Sequence, residues 1–322
     1  MPSLKETKDR IVSVNSTRKI TSAMKMVASS KLHHAQTLIG NMLPYENSLE
    51  HILKSFLAAS PDIVTPLNQV HTTIHRVALV VFTSNSSLCG GFNNNVIKKM
   101  EQTIAEYRAQ GDVEFLIYPI GRKVAEKAAK LGLPVSGDYN ELADKPNAQG
   151  CQVIAEELCK KYEEGEIDKV ELIYHHFKSA GSQILQRKTF LPIDISDDFS
   201  ADNDRDLTFT VVTEKTQEYL RKKGEQQQSE KAEVKPLNDN FIVEPDTNTV
   251  LGQLIPLELN LTIYTALLDS NASEHAARMV AMQTATDNAD ELLKSLNLQY
   301  NKSRQQAITN ELLDIVGGSA NN

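Results

Sequence analysis

No tryptophan occurs in this chain of 322 residues, and aromatic residues make up only 6% of it. A single large core built on aromatic side chains is thereby excluded; long helices beside a modest core suit the composition better. Cysteine is also scarce. Cys89, Cys151 and Cys159 are too few and too scattered for a disulfide framework. Cys151 and Cys159 fall on what reads as one helix, where a bridge cannot form, so buried, inert thiols are expected. No run of 18 consecutive apolar residues is present, so no transmembrane helix is indicated. The opening MPSLKETKDR lacks an apolar signal core and carries acids that a transit peptide avoids. These absences predict a cytosolic chain, or one peripheral on a membrane that it reaches through partners.

Catalytic fingerprints are missing too. The segment SSLCGGFNNN (86–95) joins an expected strand to an expected helix, but it has neither G-K-[ST] nor G-x-G-x-x-G. It reads as a tight turn rather than a phosphate cradle. His33–His34 and His175–His176 are adjacent pairs, which point to different sides of a helix and to opposite faces of a strand, so neither pair presents two ligands to one metal. Cys89 lacks an identifiable basic partner for a nucleophile. No paired carboxylates stand at a recognisable catalytic spacing. The residues alone describe a binding or mechanical protein, with no cofactor expected.

The chain has 40% hydrophobic and 24% charged residues and a net charge of −8, unevenly spread. Residues 1–40 hold seven Lys or Arg against two acids, a net of about +5. Residues 194–247 hold fourteen acids against seven bases, a net of about −7. The basic arm could suggest nucleic acid, but the overall acidity and the lack of interleaved aromatics argue against that partner.

Periodicity predicts a helix over most of 3–58. Ile20, Met24, Val27, Lys31, His34 and Leu38 follow a 4-3 spacing; Met42, Tyr45, Leu49, Ile52 and Phe56 continue it after one slip. Pro44 should kink or break the helix, and SPDIVTP (60–66) should end it. At the other end, Met279, Met282, Thr286, Ala289, Leu293, Leu296, Tyr300, Ser303 and Ala307 keep a 3-4 rhythm. Ile308, Leu312 and Ile315 then take up a seam displaced by one position. At 1.5 Å per residue the last helix would run about 65–70 Å, too long to bury itself in a domain of this size. Two such helices at opposite chain ends predict an antiparallel coiled coil.

Between them, strands are expected at 76–84, 113–121, 169–177 and 182–193, the last two forming a hairpin across 178–181. Helices are expected at 91–111, after 121, and at 148–165. That alternation predicts an α/β layer domain with a mainly parallel sheet. Residues 194–250 read as an acidic, polar insertion with a possible short strand at FIVEP (241–245). The division expected is thus 1–58 for the first coiled-coil helix, 70–250 for the α/β domain with its acidic insertion, and 251–322 for the second coiled-coil helix.

One stretch of the first helix is unusual. RKITSAMKMVASSK (18–31) has no acid, no Leu and no Phe. Ala, Ser and Thr with adaptable Met would give a smooth, basic surface suited to a contact that must shift.

RIVSVNSTRKITSAMKMVASSK, LCGGFNNN and the terminal EHAARMVAMQTATDNADELL with LQYNKSRQQAITNELLDIVGGSA together closely resemble the gamma subunit of F-type ATP synthase. Asn85, Ser86 and Ser87 stand where that family usually has Asp-Arg-Gly, and Gly318 and Ser319 where it usually has Gly-Ala. The stretch 194–250 looks longer and more acidic than the family norm. The resemblance implies an antiparallel coiled coil standing inside a ring of alpha and beta subunits. A Rossmann-like α/β domain would sit at its foot, against the epsilon subunit and the membrane-embedded c ring. It implies a chain that carries torque without an active site, on the cytoplasmic face of a bacterial membrane, attached only through the complex. It also implies that Met24 and Arg278 face the moving part of beta, and that Gln305, Thr309 and Glu311 meet beta and alpha loops. A nucleotide-dependent Rossmann-like enzyme and an unrelated coiled-coil adaptor are the alternatives.

Overall fold

The computed structural model describes residues 4–59, 67, 69, 71, 74–193, 244 and 247–319. The described elements run α1 (Leu4–Ala59), β1 (Arg76–Phe82), α2 (Phe92–Gln110), β2 (Glu114–Ile120), α3 (Arg122–Lys130), α4 (Asn140–Asp144), α5 (Ala148–Glu163), β3 (Lys169–Ser179), β4 (Ser182–Leu191) and α6 (Thr247–Ser319). They belong to two compact units. One is Met1–Ser30 with Arg278–Asn322; the other is Lys31–Ala277.

The larger unit is built on a sheet of order β2-β1-β3-β4. β1 pairs in parallel with both β2 and β3, and β4 runs antiparallel to β3 as its hairpin partner. The central strand β1, RVALVVF, is apolar because both its faces are covered. Ala78, Val80 and Phe82 pack with Leu172, Tyr174, α5 and the first part of α6. Val77, Leu79 and Val81 pack with Ile173, α2 and α3. The four strands, the hairpin and three of the helices fall where the apolar runs predict them. α4, a single turn and a half, was not anticipated; its five residues are too short for a period to register.

Two local details show why the sequence folds this way. Pro119 lies within β2 and pairs with Val81. A strand proline is tolerated here because β2 is a sheet edge and no inward ladder bond is lost. Gly121 ends β2 at φ +106°, and a Cβ there would lie 2.0 Å from the Thr83 carbonyl oxygen. Only glycine allows the β1 and β2 ends to approach so closely. α5 is capped by Asn147, whose Oδ1 accepts from the Gly150 N–H at 2.7 Å, an arrangement worth about 1 kcal/mol.

α1 runs through Pro44 without a break; Ser48 Oγ donates to the Pro44 carbonyl at 2.7 Å. α6 begins at Thr247, four residues before the expected boundary. Over Thr249–Leu313 it is long and apolar enough to cross a membrane by length and composition alone, a test that core helices also pass. Counting consecutive apolar residues missed this, because Glu258, Asp269 and Glu274 interrupt the run. Leu251, Ile255, Leu259, Ile263, Ala266 and Leu267 of that helix belong to the core of the larger unit. The acidic insertion, the FIVEP strand and the 60–66 stop signal lie outside the described residues, as does the Phe56 side chain.

The smaller unit consists of α1 up to Ser30 and α6 from Arg278. Thr21 Oγ1 lies 2.8 Å from Thr286 Oγ1, and Arg18 Nη1 donates to Asp290 Oδ1 at 2.9 Å. As numbers rise on one helix they fall on the other, so the pair is antiparallel. On α6 the expected seam is correct: Met282, Ala289 and Leu296 are buried, with Met279, Thr286, Leu293, Tyr300, Ser303 and Ala307 half-buried between them. On α1 the expected seam is off by one position between Ile20 and Leu38, whereas Leu49 of its continuation is buried as expected. Ile20 and Val27 are exposed, whereas Thr7, Thr21 and Ala28 are buried. The same displacement holds in the larger unit, where Lys31 and His34 are exposed while Leu32 and Ala35 are buried. Thr7, Ile11, Val14, Arg18, Thr21, Lys25 and Ala28 form a 4-3 series with no slip. Reading for the largest apolar side chain chose the wrong face, because close helix packing here uses small residues and the stems of Arg18 and Lys25. Ile308, Leu312 and Ile315 form no seam; all three are exposed.

Candidate functional site

All five residues singled out by the resemblance lie in the smaller unit, in two groups. Met24 and Arg278 are half-buried on α1 and α6. The register that sets Thr21 against Thr286 puts Met24 level with residue 283, about five residues along α6 from Arg278. Gln305, Thr309 and Glu311 are exposed. Thr309 Oγ1 donates back to the Gln305 carbonyl at 2.9 Å, so these two share a helix face. Arg278 and Gln305 are separated by 27 residues on one helix, or about 40 Å. The five are therefore two contact zones rather than one site.

Continuing the register sets Leu4 level with residue 303. α6 runs to Ser319, so its last turns extend beyond the first described residue of α1. Ile308, Leu312, Leu313 and Ile315 on this stretch are all exposed, as is Leu298 lower on the same helix, at 72%. Lower down, Val12, Ile20, Met26 and Val27 of α1 are likewise exposed. The expected smooth, small surface is thus half right. The small Ala28 is in the helix–helix seam, and the outward face of 18–31 carries three larger apolar side chains among its Lys, Ser and Thr residues. The Arg18–Asp290 pair beside them is about two-fifths exposed on each side and contributes little to stability, on the order of 0–1 kcal/mol.

The Gly-rich turn of the larger unit has a structural explanation. Leu88 and Gly90 adopt positive φ, which folds the chain back so that Asn93 of α2 reaches the end of β1. Asn93 Oδ1 accepts from the Ser84 N–H at 3.0 Å, and its Nδ2 approaches the buried Cys89 Sγ at 3.1 Å. Cys89 is thereby part of a closed polar knot with Ser84 and Asn93. Asn85, one of the departures from the family pattern, joins two helices. Its Nδ2 donates to the Asn140 carbonyl and to Asp144 Oδ2, both at 2.7 Å, and its Oδ1 accepts from the Arg122 N–H. Open α/β sheets take nucleotides beyond the carboxyl ends of their strands, and here that end is filled by these side chains. A groove of about 560 Å³ lies at the opposite, amino end, lined by Arg76, Arg108, Phe115, Leu133, Lys161 and Glu166 among others.

Burial pushes the Cys151 thiol up to about 12, and burial with Glu163 and Glu156 does the same to Cys159. Neither forms a nucleophilic thiolate near neutral pH. The histidine pair on β3 behaves as strand geometry dictates. His175 stacks on Phe92 of α2 at 4.6 Å between ring centres, while His176 points to the other face, its Nδ1 2.8 Å from Asp269 Oδ2. Among the described residues no group of three His, Cys, Asp or Glu side chains could hold a metal ion.

Two charge networks were not legible beforehand. Burial opposes ionisation of Glu171 on β3, but Arg187, Tyr107 and Lys169 outweigh it and hold the carboxyl below its usual range. Arg187 donates to both its oxygens, at 2.7 and 3.0 Å. Glu157 of α5 gathers Tyr118, Ser136, Tyr139 and Lys161. Lys169 and Glu171 at alternate positions of β3 were the only signal for the first network, and they read equally well as an exposed face.

The ATP synthase family model matches residues 3–321. The ATP synthase gamma chain of Phocaeicola vulgatus is 51% identical over 319 residues, covering 99% of each chain. That of Flavobacterium johnsoniae is 39% identical over 319 residues, covering 99% of this chain and 98% of its own. The fold is similar to that in the central stalk and c-ring structure of the Tetrahymena thermophila mitochondrial ATP synthase, with TM-score 0.54 and 23% identity over 83% of this chain and 99% of that one. It is also similar to a chain of the Euglena gracilis mitochondrial ATP synthase, with TM-score 0.58 and 16% identity over 98% of this chain and 93% of that one. Two long terminal helices, an α/β body and full-length identity to named relatives agree: the chain belongs to the family of ATP synthase gamma chains, non-catalytic components of the enzyme's central stalk.

Proposed function

We propose that this chain is the shaft that carries torque between a proton-driven c ring and the catalytic beta subunits of a bacterial ATP synthase. The observation that carries the reading is the tip of α6, which extends past the first described residue of α1 with Ile308, Leu312, Leu313 and Ile315 uncovered. Such a tip needs a surrounding sleeve, and a ring of alpha and beta subunits supplies one. Gln305, Thr309 and Glu311 would meet alpha and beta loops there, and Met24 and Arg278 would face the moving part of beta. The α/β body would rest against the epsilon subunit and the c ring. The complex would hold the chain at the cytoplasmic face of the membrane.

A shaft must turn without sticking at one angle. The outward residues of the helical pair mix Lys, Ser and Thr with isolated apolar side chains rather than a continuous Leu stripe. Contacts of that kind are individually weak and can be exchanged as the angle changes. The test is truncation after Leu298 followed by co-purification with alpha and beta subunits and measurement of ATP synthesis in vesicles. Weakened assembly and loss of coupled synthesis are expected. A fully coupled, normally assembled complex would overturn the reading.

A further inference from the structure

From Thr265 to Ala276, α6 is buried on every side, within the larger unit. Yet the segment reads TALLDSNASEHA and carries Asp269, Ser270, Asn271, Ser273, Glu274 and His275. A helix packed only for stability would use apolar residues here. Instead, three polar side chains tie it to three places on the α/β body. Asp269 Oδ2 takes a hydrogen bond from His176 Nδ1 on β3 at 2.8 Å, with both side chains essentially inaccessible to solvent. Ser273 Oγ, one turn later, donates to the backbone carbonyl of His175 at 3.2 Å. Asn271 Nδ2 donates to the Ala143 carbonyl in α4 at 2.9 Å.

We infer that Asp269 and His176, backed by Ser273 and Asn271, are positioning residues that fix the rotation and axial register of α6 on the α/β body, so that the body cannot turn without turning the helix. Apolar contact alone is non-directional, and Ala266, Leu267, Ala272 and Ala276 would let a helix roll or slide by a fraction of a turn at small cost. The polar pairs are satisfied in one setting only. Any roll strands a buried carboxylate and a buried imidazole, each far more costly to leave unpaired than the pair is worth when formed. Buried polar pairs of this kind specify register more than they stabilise. α6 continues without interruption past Arg278.

This inference rests on the torque-carrying reading, and its test separates the two. The intact complex is assembled in vesicles with wild-type chain or with the apolar double variant His176→Leu, Asp269→Val, and protons pumped are compared with ATP hydrolysed. Assembly and hydrolysis are expected to persist in the double variant, while pumping per ATP falls by about threefold. Asp269→Asn, which keeps an acceptor for His176, should restore the ratio. Should the double variant fail to assemble, Ser273→Ala carries the test, since it removes a bond to the body without stranding a charge; a smaller fall, about 1.5-fold, is expected. Unchanged pumping per ATP in whichever variant assembles, with only the melting temperature lowered, would reduce these residues to a structural role and overturn the inference. Failure of the wild-type chain to join alpha and beta subunits would instead overturn the functional reading.

Discussion

The α/β body and the helical pair solve opposite problems with the same alphabet. In the body, Tyr118, Tyr162, Phe82 and Phe177 are fully buried, and charged residues such as Glu171 are admitted only with several partners. In the helical pair, the seam uses Thr21, Ala28, Thr286 and Ala289, while larger apolar residues such as Ile20, Val27 and Leu298 face outward. The difference is that the body buries its large side chains internally, whereas the pair packs on small ones and leaves larger apolar side chains facing outward.

Changes in the body should act on folding, and changes in the pair on coupling. The largest effect is expected at Gly121. Gly121→Val places side-chain atoms against the Thr83 carbonyl at a backbone angle that valine avoids, and should cost several kcal/mol, about 3 or more. Circular dichroism melting of the purified chain would reveal it; an unchanged midpoint would show that the β1 and β2 ends can separate freely.

Next comes His175, whose pKa burial lowers to about 4. The unfolded chain takes up this proton below about pH 6.5, while the folded chain resists it until about pH 4. Its contribution is therefore fully present above pH 6.5 and is lost as pH falls toward 4. The loss from pH 7 to pH 5 is about 2 kcal/mol. Urea titrations at the two pH values should show a smaller decline in His175→Phe, which keeps a ring against Phe92. Equal declines would exclude His175 as the cause.

Arg278→Ala sharpens the comparison from the other side. If Arg278 makes the contact with beta proposed above, its signature is a fall in ATP synthesis per assembled complex with the melting temperature nearly unchanged, since a charged hydrogen bond is worth about 1.5–3 kcal/mol. A drop in soluble yield with normal coupling would assign Arg278 to folding instead. The smallest effect is expected for Ala23→Leu with Ser30→Leu, two exposed positions on α1. Added apolar bulk should slow turnover modestly by deepening preferred angles. Ala28 is unsuited to this test, since its side chain is buried in the seam and a larger one would pry the helices apart. Undiminished turnover would count against a surface tuned for low adhesion.

The seam of α6 could be read from its sequence because Met282, Ala289 and Leu296 are both the apolar residues and the buried ones. The seam of α1 could not. Ile20 and Val27 obey a helical period as well as Thr21 and Ala28 do, and hydrophobicity chose between the two phases wrongly. A partner that wants apolar contact outside the pair inverts the usual inside–outside rule, and one sequence does not contain that partner. The strands were legible because RVALVVF and its neighbours must be covered on both faces, whatever covers them. The role of Asn85 was not, since its contacts in α3 and α4 lie far along the chain.

Periodicity, apolar runs and turn chemistry are local, so the chain by itself determined the long terminal helices, the strand and helix order, the parallel sheet with its closing hairpin, and the tight strand-to-helix turn at 86–95. The resemblance of its helical ends supplied the family. Tertiary structure alone decided which phase of α1 faces α6, how far α6 outruns α1, and how His176 and Asp269, 93 positions apart, come to share one hydrogen bond. Those choices depend on pairing between distant segments, where small residues permit close approach and buried polar groups accept a single arrangement.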